Sequence, residues 1–206
     1  MSVVSNIATG VRVLPAQGYR RMRWKNDAGW TSEILRVPDQ EEWCWRLSIA
    51  EVEADSAFSA FPGVERWLML LSGEGMQLCF EDGTTQTLRP PHGAVQLSGD
   101  RALTGRLVDG RSTDFNVMWR RDRHAAQIWR RPLEESMVVF VEPDETWAIH
   151  LLSGEMGIAS DAGVDNLQAG DTAILEAGTS RGRYAMEGNG ELLLIRITCV
   201  GTPVSV

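Results

Sequence analysis

The stretch from Trp24 to Ala50 constrains the fold most, because its alternating side chains predict two β-strands joined by a polar turn. Side chains two residues apart on a strand lie on the same face. The second predicted strand has one wholly apolar face, formed by Trp43, Trp45, Leu47 and Ile49. In the first predicted strand one face carries Thr31, Glu33 and Leu35, and the other carries Trp30, Ser32, Ile34 and Arg36.

Polar side chains on these two strands need an explanation other than core packing. Thr31 and Glu33 lie on the first strand, and Arg46 and Ser48 share the polar face of the second. This face either meets water on the outside of the protein or lines a polar pocket inside a β-barrel. A third alternative is a buried Arg46–Glu33 ion pair with a structural role only.

A later predicted strand repeats the alternation, with Asp114, Asn116 and Met118 opposite a bulkier apolar face. An arginine inside a barrel presents a planar fork that suits a carboxylate. Arg66 follows a Phe-Pro-Gly corner, where it either reaches the mouth of the same barrel or lies on the surface. The predicted ligand-binding residues are therefore Asn26, Thr31, Glu33, Arg46, Ser48, Arg66, Asp114, Asn116 and Met118.

Short apolar runs separated by Gly, Pro and Asp turns continue along the chain and predict an all-β sandwich or barrel. No long amphipathic helix is evident. Phe58 and Phe61 lie in a turn-rich segment that ends at Pro62-Gly63, and we expect them to close the mouth of a barrel.

The chain also repeats itself. The segment Leu70–Glu74, L-L-S-G-E, recurs as Leu151–Glu155, and a second pair of similar segments starts at Leu88 and Leu167 with nearly the same spacing. Two ordered matches indicate a duplicated β unit. The second copy, L-Q-A-G-D-T-A-I-L, resembles the hairpin turn of cupins, so the chain resembles a bicupin of two packed β-barrel or jelly-roll modules. The predicted modules are residues 1–121, with the ligand pocket, and residues 122–206.

Four further blocks resemble the HutD/Ves family of bicupins. They are W-K-N-D-A-G-W-T-S-E-I, W-R-L-S-I-A, F-S-A-F-P-G-V-E-R and D-F-N-V-M, in that order between Trp24 and Met118. Asp27 and Ala28 depart from the pattern, since the family usually has glycines there. The resemblance implies a protein encoded with histidine-degradation enzymes that binds a pathway intermediate such as N-formylglutamate or urocanate. It implies no established catalytic activity.

Composition limits the partners and the location of the protein. The formal net charge is −8, which disfavours nucleic acid and anionic membranes because both favour basic surfaces. The sequence shows no signal peptide pattern and no apolar run of about 18 residues, the length of a membrane span. We therefore expect a cytoplasmic protein without nucleic-acid or membrane partners. The resemblance to cupins, whose sheets often pair, adds a homodimer as an open alternative.

The three histidines do not form the ligand pattern of a cupin metal site. Such a site needs two histidines one residue apart, a nearby glutamate and a later histidine. His92, His124 and His150 are all far apart in the sequence. We accordingly expect no metal, and no motif indicates another cofactor.

Three functional hypotheses follow from these observations. The first is a regulatory bicupin that binds a small carboxylate in a metal-free pocket of its N-terminal module. The second is a metal-independent isomerase or hydrolase with Glu33 or Asp114 as the general base. The third is a protein-interaction module with an empty barrel.

Overall fold

The computed structural model describes residues 10–160 and 163–201, and it is built almost entirely of β-strands. Sixteen strands are present in this part of the chain, and the one helical element there is a short 3₁₀ turn, Ala16–Gly18. The predicted all-β class is therefore confirmed. No helix among the described residues is long and apolar enough to cross a membrane.

The described chain forms two compact units. Residues 19–124 form one, called here the N-terminal unit, and the described residues up to Gly18 join those from Ala125 onward in the C-terminal unit. The predicted modules, 1–121 and 122–206, differ from these units at the start of the chain. Strand β1, Gly10–Leu14, pairs antiparallel with Thr172–Glu176 and so belongs to the C-terminal unit. The alternation of side chains in β1 predicts a strand, but it does not identify the sheet edge with which that strand pairs.

The N-terminal unit contains two sheets. Its strands are β2 Arg20–Arg23, β3 Gly29–Val37, β4 Trp45–Val52, β5 Ser56–Ala57, β6 Val64–Ser72, β7 Met76–Phe80, β8 Thr85–Leu88, β9 Ala94–Ser98, β10 Leu103–Leu107 and β11 Ser112–Arg120. One sheet has the order β2-β3-β4-β11-β6-β9, and the other has the order β5-β10-β7-β8. Apolar side chains from both sheets, including Leu68, Leu70, Leu78 and Leu103, pack in one core cluster.

The C-terminal unit is a single sheet in the order β1-β15-β13-β16-β12, with β14 paired to β13. Its other strands are β12 His124–Val141, β13 Glu145–Ser160, β14 Gly163–Gln168, β15 Thr172–Glu176 and β16 Gly182–Cys199. The order β15-β13-β16-β12 matches β9-β6-β11-β4 of the N-terminal unit. The repeated L-L-S-G-E segments lie correspondingly at the end of β6 and within β13, as a duplicated β unit requires.

The hairpin of β3 and β4 corrects two details of the predicted strand faces. A register shift between Glu33 and Leu35 places Leu35 opposite Leu47 and Arg36 opposite Arg46, so both side chains lie on the side opposite to the predicted one. Such a bulge inserts one residue and reverses the alternation beyond it. Trp43 precedes β4 and packs with Met118 and Phe61, so it does not share the apolar face of Trp45.

Candidate functional site

A cavity of about 580 Å³ lies in the N-terminal unit against the polar face of the six-stranded sheet. Seven of the nine predicted ligand-binding residues line this cavity: Asn26, Thr31, Arg46, Ser48, Arg66, Asn116 and Met118. Pairing in the sheet brings them together, because β11 lies between β4 and β6. Met118 is opposite Arg46 on one side and opposite Arg66 on the other. Two strand spacings therefore separate the backbones of the two arginines, which is about 10 Å.

Glu33 and Asp114, the other two predicted site residues, do not line the cavity. Both are buried, with Glu33 8% exposed and Asp114 0% exposed. Glu33 forms an ion pair with Arg46, and the charge of Asp114 acts on Arg66. The polar strand face is therefore an interior surface rather than a solvated one.

Arg46 and Glu33 form a close ion pair. The Nε atom of Arg46 lies 2.8 Å from Oε2 of Glu33, and the two side chains are 15% and 8% exposed. The N–H is not aligned for a hydrogen bond, so the contact is mainly electrostatic. Burial lowers the pKa of Arg46, and the charge of Glu33 opposes this effect. Arg36 also approaches Glu33, at 3.9 Å, and is held by Asp39 at 2.7 Å.

Arg66 is held by an amide instead of an acid. Its Nε and Nη2 atoms both donate to Oδ1 of Asn116, at 2.9 Å and 2.6 Å. The Phe58 ring lies 4.7 Å from the guanidinium carbon. Burial lowers the pKa of Arg66 to about 10, although the charge of Asp114 acts in the opposite direction. The guanidinium therefore stays charged at neutral pH, and its Nη1 edge forms no hydrogen bond with the described residues.

Asp114 is the most unusual acid of this unit. Neither of its carboxylate oxygens has a hydrogen-bond partner among the described residues. On β11 it pairs with Ala50 of β4 and Leu70 of β6, which offer no polar side-chain atom. Burial raises the pKa of Asp114 to about 7, and the positive charge of Arg66 limits this rise.

The turn before β3 forms the rim of the cavity. Oδ1 of Asn26 accepts a hydrogen bond from the backbone N–H of Ala28, at 3.2 Å, which fixes a tight turn. Asp27 has a φ of 56°, a left-handed conformation that Asp tolerates better than most residues. This explains how the chain can have Asp at a turn position that favours Gly. Trp24 then donates from Nε1 to Oγ1 of Thr31, at 2.8 Å.

The structure adds several lining residues that the predicted set lacked. They are Met22, Arg23, Trp24, Lys25, Ala50, Ala57, Phe58, Ser59 and Phe61. Phe58 and Phe61 were predicted to close a barrel mouth, and both lie in the cavity wall. Met22 could have been found only with the register of β2, which places it opposite Thr31. Arg23 and Lys25 are exposed, and nothing in their sequence context distinguishes them from surface cations.

The histidines lie at separate places. His92 is in the turn between β8 and β9, with its Nδ1 atom 3.2 Å from the backbone oxygen of Leu70. His124 begins β12, and His150 is buried in β13 beside Thr172, at 2.9 Å. Within residues 10–160 and 163–201 no three His, Cys, Asp or Glu side chains come together as a metal site would require.

Comparison with solved structures supports the cupin fold. A conserved protein of unknown function from Pseudomonas aeruginosa PAO1 superposes with a TM-score of 0.82 and 29% identity, covering 93% of this chain and 100% of that one. HutD from Pseudomonas fluorescens SBW25 gives a TM-score of 0.80 and 26% identity with the same coverage. A cupin 2 conserved barrel domain protein from Leptotrichia buccalis gives 0.54 and 12%, covering 82% and 88%. The predicted bicupin fold is therefore confirmed.

Sequence comparison identifies the family. An uncharacterized 21.2 kDa protein in the hutC 3′ region of Pseudomonas putida is 36% identical over 120 residues, 57% of this chain and 63% of that protein. Protein Ves from Cronobacter sakazakii is 38% identical over 106 residues, 51% of this chain and 58% of that protein. The chain thus matches about three fifths of the length of these relatives. The HutD family model matches residues 16–194, and the chain belongs to the HutD family.

Proposed function

We propose that this protein binds a small carboxylate of histidine degradation, N-formylglutamate or urocanate, in the cavity of its N-terminal unit, and that binding serves regulation. The charge of the cavity wall carries this proposal. Four cationic side chains line it, Arg23, Lys25, Arg46 and Arg66, and no carboxylate of the described residues does. An anion entering the cavity therefore meets positive groups, although the whole chain has a net charge of −8.

The two buried arginines provide the geometry for carboxylate recognition. A guanidinium fork can donate two parallel hydrogen bonds to a carboxylate. Glu33 and Asn116 occupy one edge of Arg46 and Arg66, respectively, and hold each side chain in place. Apolar walls from Phe58, Phe61 and Met118 reduce the competition from water. The cavity volume also lies in the usual range for small-molecule sites, about 300–1,000 Å³.

The choice of metabolite rests on the family. The Pseudomonas putida relative is named for its place in the hutC 3′ region, and the resemblance to the HutD family implies a link with histidine degradation. A binding protein of this kind would act in the cytoplasm, where histidine is degraded. A regulatory role fits a site that can bind a carboxylate but has no general base in contact with the bound molecule. The regulatory role is therefore part of the proposal.

An enzymatic function has weaker support. A general base must lie within hydrogen-bonding reach of the proton that it removes. The raised pKa of Asp114, about 7, would suit a base, but neither Asp114 nor Glu33 lines the cavity. Glu33 is moreover paired with Arg46.

Titration calorimetry with N-formyl-L-glutamate and urocanate tests the proposal through Arg46. We expect Arg46→Ala to weaken binding by about 2–5 kcal/mol, because it removes a charge-assisted contact from a desolvated site. Arg46→Lys should weaken it less, since the charge remains but the fork is lost. Arg106→Ala removes an exposed arginine of β10 and serves as the control.

The outcomes separate the three functional hypotheses. Unchanged affinity in both Arg46 variants would contradict the role of Arg46. Conversion of either compound by the protein, followed by NMR, would support an enzyme. Absence of binding to both compounds would contradict the proposed function and favour a protein-interaction module.

A further inference from the structure

Each of the two buried cavity arginines has one acid near it. Arg46 on β4 is neutralised by Glu33 on β3, and Arg66 on β6 faces the charge of Asp114 on β11. The two acids differ in their contacts with these arginines. Glu33 touches its cation at 2.8 Å, whereas Asp114 has no hydrogen bond to Arg66 or to any other described residue. Arg66 uses Asn116 for its hydrogen bonds.

We propose that anion binding to Arg66 transfers a proton from solvent to Asp114, so that the pocket takes up a carboxylate and a proton together. This inference rests on the proposed function. When a ligand carboxylate becomes the counter-ion of Arg66, Asp114 is left as a second negative charge in the same buried region. Two carboxylates that share one cation cannot both remain ionised at low cost, so one of them binds a proton.

Asp114 is the group that accepts the proton because its surroundings stabilise it least as an anion. It is fully buried, and its oxygens accept no hydrogen bond among the described residues. Its neighbours across the sheet are Ala50 on β4 and Leu70 on β6. The ligand, in contrast, receives donors from the guanidinium forks.

The other charged groups around the cavity do not take the place of Asp114 as the group that binds the proton. On β4, Arg46 lowers the pKa of Arg66, and it is itself paired with Glu33 on β3. Lys25 and Arg23 lie at the exposed rim, and Arg23 is bound to Glu53 and Asp27. Arg66 is the charge that acts on Asp114 against burial, and the pKa of about 7 leaves Asp114 close to its titration point before a ligand binds.

The affinity for an anion depends on pH through the protonation state of Asp114. Below pH 7 Asp114 is already largely protonated, and an anion binds without proton uptake. Above pH 7 Asp114 is ionised in the free protein and must bind a proton when the anion enters. Affinity for an anion therefore falls as pH rises above 7, by up to about tenfold per pH unit.

Calorimetry with N-formyl-L-glutamate tests this coupling, because that probe has no group that titrates between pH 6 and 9. Titrations at pH 8 in HEPES and in Tris, whose ionisation enthalpies differ, give the number of protons taken up. We expect a value approaching one for the unaltered protein. Asp114→Asn should take up none, and its affinity should stay constant between pH 7 and 9. Asp109→Asn removes an exposed carboxylate of the same unit and should behave like the unaltered protein.

Each result has a definite consequence. Binding with equal heats in both buffers at pH 8 overturns the inference and leaves the proposed function intact, and this measurement needs no variant. Proton uptake that persists in Asp114→Asn assigns the proton to another group and also overturns it. Failure of N-formyl-L-glutamate and urocanate to bind at any pH overturns the proposed function, and the inference with it.

Discussion

A single residue, Asp114, should make the stability of the folded protein depend on pH. A carboxylic acid without hydrogen bonds in a buried position is costly when ionised. Arg66 reduces this cost without removing it, because burial outweighs its charge and the pKa of Asp114 rises to about 7. Unfolded chains have Asp pKa values of about 3.9. The folded form therefore binds more protons than the unfolded form between pH 4 and 7.

Stability should accordingly decline as pH rises through this window. When the folded-state pKa of an acid is raised, its contribution to stability is fully present below the unfolded-state pKa and is lost as pH rises to the folded-state pKa. We expect Asp114→Asn to gain about 3 kcal/mol relative to the unaltered protein between pH 5 and pH 8, because Asn does not titrate. Urea unfolding at several pH values measures this difference. Parallel stability curves would contradict it, and Asp109→Asn should give such parallel curves.

Residue-level prediction from the sequence succeeded where alternation and charge were sufficient. Thr31, Arg46, Ser48 and Asn116 were selected as polar residues on strands, and all four line the cavity. Asp114 was selected on the same grounds, yet it is buried and does not line the cavity, which depends on side-chain packing that a sequence pattern does not contain. Binding of a ligand by these residues remains a prediction.

The β3–β4 hairpin shows that strand pairing decides which face a residue lies on, in addition to the alternation along one strand. Alternation gave the correct faces from Thr31 to Glu33, and it failed at Arg36 because of the register shift before Leu35. A bulge depends on how two strands pair, so the single strand carries no signal for it. The bulge also changes the surroundings of Glu33, since it brings a second arginine towards this residue, at 3.9 Å.

Gly29 at the start of β3 tests how closely this element is packed. A Cβ atom there would lie 2.3 Å from the backbone oxygen of Glu51 and 3.2 Å from the Trp24 ring. Because the oxygen belongs to the paired strand β4, relief requires the hairpin to shift. We expect Gly29→Ala to cost about 1–3 kcal/mol in stability and to weaken carboxylate binding, since Trp24 holds Thr31.

Thermal unfolding and calorimetry measure the two effects of Gly29→Ala. Gly18→Ala is the control, because a Cβ atom at Gly18 has no heavy atom within 4 Å. Equal stability of the two variants would mean that the hairpin accommodates the methyl group. In that case the Trp24–Thr31 contact would not depend on this close approach.

The whole chain shows a duplication whose two copies have diverged in chemistry. Leu70 and Leu151 occupy equivalent repeat positions, and each lies beside a register shift in its own sheet. Asp114 is opposite Leu70, and Leu192 is opposite Leu151. The sequence repeat was therefore sufficient to predict two related units. It could not predict that β1 pairs in the C-terminal unit, because strands of five residues carry no information about their partner.

The same equivalence predicts one carboxylate site per chain. Asn116 is opposite Leu68, and its equivalent in the C-terminal unit is Leu194, opposite Ile149. Leu192 and Leu194 belong to the buried apolar core of that unit, at 0% and 6% exposure. Leucines at the positions of Asp114 and Asn116 remove the amide and the acid that accompany Arg66 in the N-terminal unit, and a buried charge needs a partner.

Calorimetry should therefore give one bound N-formyl-L-glutamate per chain. Arg66→Gln should weaken this binding at least about 30-fold, because the loss of a buried charged partner costs 2 kcal/mol or more. Arg183→Gln removes an exposed arginine of β16 in the C-terminal unit and should leave both affinity and stoichiometry unchanged. Two equivalents per chain would show that the C-terminal unit kept a site despite its leucines. Full affinity in Arg66→Gln would move the anion site away from the Arg66–Asn116 pair.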